Sequence, residues 1–238
     1  MKKVHKLSVT QIRVFPVDML GLEFFRISGA NDRIRERYSF ASPTASQPTF
    51  PFAIPAEVAM QFVSGQYEQD GERIVIERLT IEDRRILFTI EGSSASANSF
   101  YADLKELLEQ LDTRKDRPDY EPLVTADETT SVVQLDIPFN ALLSKPLMKL
   151  QKEMEKAAQF PGASVNLFPT AIKFSVRYLA TPPELARKKV VLSDKEIAIE
   201  VRAKTDPNEQ IYFIKSPFSS DIHLRLVNEL EDSLLSQK

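Results

Sequence analysis

The chain of 238 residues has no cysteine and no tryptophan, only 2 histidines and 6 glycines, and no long apolar run. Each absence removes a chemistry. Without cysteine there is no disulfide, no thiolate nucleophile, no iron–sulfur cluster and no zinc site built on sulfur. His5 and His223 lie far apart in sequence, which leaves few ligands for a transition metal and few bases for a Ser-His-Asp arrangement. The glycines form neither G-x-x-x-x-G-K-[ST] nor G-x-G-x-x-G, so the common phosphate-cradling loops are missing, and G-x-S-x-G and S-x-x-K are missing too. Nowhere do 18 apolar residues run together, and the basic start MKKVHKLSVTQIRVFPVDML lacks the continuous apolar segment of a signal peptide. A net charge of −3 gives no global pull toward nucleic acid or an anionic membrane. These absences lead to the expectation of a cytoplasmic protein with no cofactor, no metal, no catalytic residue and no membrane partner.

With 42% hydrophobic and 27% charged residues, the composition is that of a globular chain able to bury a core. Short β-branched and aromatic runs at 11–17, 22–28, 72–78, 85–91, 132–137, 163–168, 172–179, 196–203 and 210–215 read as strands. Four helices fit between them. Pro55 opens one at 56–63; Ser96, Asn98 and Ser99 offer caps for one carrying Leu104, Leu107 and Leu111; Ser219, Ser220 and Asp221 open another carrying Val227, Leu230 and Leu234. The fourth, at 142–158, sets Leu143, Leu147, Leu150 and Met154 at steps of four and three, a seam for core packing or for a subunit contact.

Sliding the chain on itself by 123 residues lays Ile74, Ile76 and Glu77 over Ile197, Ile199 and Glu200, and Leu107 and Leu111 over Leu230 and Leu234. The pattern predicts an α+β fold, antiparallel sheets covered by helices, with an internal strand–strand–helix duplication. The polar, proline-bearing stretch after 112 reads as a linker, giving a first unit at 1–112, a linker at 113–131 and a second unit at 132–238, or else one intertwined domain.

Two basic clusters stand out. RIRERY, read as a strand, puts Arg33, Arg35 and Arg37 on one face beside Tyr38, and Lys188 with Lys189 forms the second. They are the candidates for nucleic acid or a phosphate ligand. Asp103-Leu104-Lys105 falls on a helix and reads as an exposed face. Phe24 and Phe25, adjacent in a strand, put one ring outward, so with Leu143, Leu147, Leu150 and Met154 they are the candidates for a partner interface. The sequence therefore favours a non-catalytic binding or assembly protein that engages a protein partner or itself through a sheet or helix surface. The alternatives are a binder of nucleic acid or phosphate ligands through the basic clusters, and a carboxylate- or metal-dependent hydrolase whose acids converge only in space.

Overall fold

A computed structural model describes residues 1–16, 19–20, 29–41, 59–69, 71–112, 114, 119–158, 167–179, 181–187, 190 and 193–236. The chain runs β1 (Lys3–Val14), α1 (Ala30–Arg37), β2 (Ala59–Gln69), β3 (Glu72–Glu82), β4 (Arg85–Glu91), α2 (Ser94–Leu111), β5 (Val124–Gln134), a short 3-10 turn (Phe139–Leu142), α3 (Lys145–Ala157), β6 (Ala171–Val176), α4 (Pro183–Arg187), β7 (Lys195–Val201), β8 (Ile211–Ser216) and α5 (Ser220–Leu235). All eight strands form one antiparallel sheet in the order β2-β3-β4-β1-β5-β8-β7-β6. The fold is α+β, with a single sheet. Among the described residues no helix is long and apolar enough to cross a membrane.

Alternation decides which side of the sheet is covered. In β4 the inward set is Ile86, Phe88 and Ile90, and its cross-strand neighbours Leu79 and Ile81 in β3 share that face. α2 lies on it because Ala97, Phe100, Leu104 and Leu108 repeat at helical spacing and are all buried. Its start is set by Ser93, whose side chain accepts from the Ser96 amide. The opposite face is polar. There Ser8, Thr10, Thr89 and Thr130 line a shallow groove of about 480 Å³ together with Phe213.

Several expectations give way. Residues 59–63, expected in a helix, begin β2, which pairs with β3 through ten partners. Apolar residues three and four apart fit a helix, and pairing with β3 in one constant register chose the strand. Within β2, Gly65 is required because the Phe40 ring stands where a side chain would go, 2.4 Å from a hypothetical Cβ. RIRERY is not a strand but the end of α1. β1 starts at Lys3 and includes His5, so the amino-terminal stretch is strand from the outset. Residues 124–131, expected in the linker, belong to β5 at the centre of the sheet. That strand looks like linker because its inward side chains are polar, and they are polar because they serve helix ends: the Thr129 hydroxyl donates to the Phe218 carbonyl at 2.7 Å and Ser94 donates to Asp127 at 2.8 Å. The strand expected at 22–28, the aromatic segment at 50–52 and most of the strand at 163–168 lie outside the described residues.

The register of 123 also fails locally. It lays Ile90, facing the helices, over Phe213, facing the open groove. A slip by one residue inverts the faces of a strand, so this register, which keeps Ile76 over Ile199 on the helix side, is not a structural superposition of β4 on β8.

Candidate functional site

The basic cluster is largely spent on structure. On α1, Arg33 is exposed, while Arg35 reaches Asn31 at 3.5 Å and Asp32 at 3.9 Å. Arg37 donates through both arms to the Asp103 carboxylate of α2, with Nε at 2.9 Å, and the buried Tyr38 hydroxyl donates to the same carboxylate at 2.7 Å. Burial raises the affinity of Asp103 for a proton, but these hydrogen bonds outweigh it and hold the carboxyl below its usual range. Asp103-Leu104-Lys105 is therefore not an exposed face: Leu104 is in the core and Asp103 anchors α1. Lys188, Lys189, Phe24 and Phe25 lie outside the described residues.

The histidines offer no dyad with an orienting acid. His5 is exposed on β1. His223 is 1% exposed, with Nε2 at 2.7 Å from the Ser131 hydroxyl and Nδ1 at 2.8 Å from the Ser216 hydroxyl. A neutral ring satisfies both, donating from one nitrogen and accepting at the other. Burial pushes its pKa down to about 4, so it is uncharged at neutral pH. Among the described residues no three His, Asp or Glu side chains converge to hold a metal ion. The open groove is occupied by internal pairs: Lys6 donates to Glu77 at 2.8 Å and sits 2.6 Å from Glu91, which together raise its pKa.

The feature left over is apolar. α3 carries Leu147, Leu150 and Met154 at 50%, 54% and 52% exposure and buries no residue at all. It is tied to Leu167, where Gln151 donates to the carbonyl at 2.6 Å and Glu155 accepts from the amide at 3.2 Å. Leu143, half-buried, ends the preceding turn, and Leu142 touches the second core. In the same half, α5 and the inward face of β7 and β8 leave a cleft of about 80 Å³ between Ile197, Ile199, Phe218, Leu226 and Leu230, with a lining that is almost wholly carbon. Its rim is extended by Ile222 on α5 and by Phe174 of β6, which pairs with Ile197 and so shares its face.

The sequence marks α3 but not the cleft. The missed signal is a second apolar line on α5, Ile222, Leu226 and Leu230 at steps of four, beside the line of His223 and Val227. The line of His223 and Val227 is buried, whereas Ile222 and Leu226 of the second line are exposed. No protein-family model matches the sequence, and no curated protein matches it.

Proposed function

We propose that this chain is a non-catalytic binding or assembly protein whose docking surface is the helix-bearing side of its second half. The observation that carries the reading is where apolar surface lies. Among the described residues the exposed large apolar side chains of residues 1–123 are Val4 and Val75, whereas the second half exposes Leu147, Leu150, Met154, Phe168, Phe174, Tyr178, Leu179, Ile222, Leu226 and Leu235. Scattered exposure is ordinary, but clustering around one helix and one cleft marks a contact surface.

The same reading includes a duplicated unit. Each half runs strand, helix, three strands, helix, the second with the short α4 inserted between β6 and β7, and the sheet order β2-β3-β4-β1 is mirrored by β5-β8-β7-β6 about the β1–β5 seam. The two terminal helices also start against each other: the Ser94 amide donates to the Ser220 hydroxyl at 3.0 Å, and the Ser220 amide to the Ser94 hydroxyl at 2.9 Å. A pair of fused units, one closed and one open, supports an assembly role in which the open unit makes the contact.

Native mass spectrometry on protein isolated gently from its own host, alongside the Leu226→Glu variant, tests this. The expected result is a specific stoichiometric complex, with itself or with another macromolecule, that the variant loses. A bare monomer, or turnover of a small substrate abolished by one carboxylate substitution, would overturn it.

A further inference from the structure

We propose that the occupant of the cleft along α5 is α3 of a second copy of this chain, exchanged reciprocally to close a two-fold dimer; this rests on the docking surface inferred above. The first half shows the geometry. There α1, between β1 and β2, buries Ile34 and leads into Tyr38, whose ring meets Phe100 of α2 at 5.0 Å, so the outer edge of α2 is closed. In the second half α3 holds the same place in chain order, between β5 and β6, yet none of its residues is buried, and among the described residues Ile222 and Leu226 at the edge of α5 are exposed. The half thus has a berth without a helix and a helix without a berth.

The two surfaces fit in length and charge. Leu147 to Met154 spans about 10 Å and Ile222 to Leu230 about 12 Å at the rise of an α-helix. α3 carries Lys145, Lys149, Lys152 and Lys156 against Glu153 and Glu155, while the exposed charges of α5 are Asp221, Glu229 and Asp232 against Arg225. Basic meets acidic when α3 docks on α5, whereas α3 against α3 brings lysine to lysine. A single helix in this cleft engages too few residues for a stable interface, and two-fold closure doubles the contact. A copy of the chain supplies both surfaces at equal concentration.

The absence of cysteine makes the test direct. Full-length Leu150→Cys and Leu226→Cys variants, purified separately and mixed under a mild oxidant, are expected to cross-link to each other far more than either does alone, and the wild type is expected to sediment as a dimer. Leu150→Glu and Leu226→Glu, both at exposed positions so that circular dichroism and melting stay close to wild type, are expected to weaken the dimer about 100-fold, because each buries a charge against hydrocarbon. Three results overturn the proposal: a monomeric wild type, equal cross-linking of each variant with itself, or a Leu150→Cys/Leu226→Cys chain that links only within itself. A monomer that still binds another macromolecule in a Leu226-dependent way removes the second copy but keeps the docking surface. Loss of both dependences removes the docking surface as well.

Discussion

The helices α2 and α5 stand at corresponding places, each after the last strand of its half and each opening on a serine that caps the other, yet they are finished differently. Phe100 on α2 is fully buried, with ring centroids 4.9 Å from Phe88, 5.0 Å from Tyr38 and 5.7 Å from Tyr67. One turn into α5, Leu226 is 40% exposed over a cleft with space left in it. The difference comes from what precedes each helix: the α1 segment brings Tyr38 and Phe40 across the sheet and ties down through Asp103, while in the second half the turn before α3 brings Phe139 and Leu142 and α3 itself buries none of its residues. Closure of the first half is thus a folding property. Openness of the second leaves apolar side chains exposed among the described residues.

The sharpest way to break this comparison is truncation at the two helices. Phe100→Ala is expected to cost about 3–5 kcal/mol in urea unfolding, since it empties the centre of an aromatic cluster, and Leu226→Ala less than about 1 kcal/mol in monomeric protein. Equal costs at the two positions would mean that the second half is as closed as the first.

Next in size is a pH effect confined to the second half. His223 has a pKa near 4 when folded against an ordinary 6.5 when unfolded. Between those values the unfolded state binds more protons, so stability is full above pH 6.5 and falls as pH drops through the window toward 4, by about 3 kcal/mol in all. Urea titrations at pH 7.5 and 4.5 read the loss, and His223→Gln, which keeps a donor and an acceptor, is expected to flatten this part of the profile. A profile unchanged by the variant would place the acid sensitivity elsewhere.

Gly65→Ala probes the closure of the first half at one atom. The new methyl meets the Phe40 ring, which must move from its place 5.1 Å from Phe62, and the expected cost is about 1–3 kcal/mol by thermal or urea unfolding. Pairing Gly65→Ala with Phe40→Leu, which clears the space, should recover part of the cost if the clash is its cause.

The sequence carries much of this comparison, unevenly. The strands β3, β4, β7 and β8 and the helices α2, α3 and α5 are legible because each combines a clear period with residues suited to it. Only the end of β5, from Val132, is legible as strand, since Asp127 and Thr129 before it serve helix starts instead of filling a core, and composition alone reads such a segment as linker. β2 is hidden because Ala59, Phe62 and Val63 fall at helical spacing although they pair with β3 in one constant register, and α1 by alternating arginines that look like one face of a strand. In the candidate site, Leu147, Leu150 and Met154 are visible from their spacing, but the cleft needs the knowledge that nothing covers Ile222 and Leu226. That is a fact of tertiary arrangement. A helix period says that a residue faces something; it does not say whether the something is there.

The smallest effect tests whether the halves are coupled where they meet. Ser94 and Ser220 each accept from the other's amide, and Ser94 also donates to Asp127, whose second oxygen accepts from Gln11 at 2.9 Å. Replacing either serine by alanine leaves one buried amide without its side-chain acceptor, at a cost of about 1 kcal/mol each. The two bonds hold a single geometry, the approach of two helix starts across the β1–β5 seam, so loss of one loosens the other. A double-mutant cycle in urea is expected to show the pair costing less than the sum of the singles by about 0.5 kcal/mol or more. Strict additivity would mean that the strands alone fix the seam, and that the closed half does not position the open one through its helix.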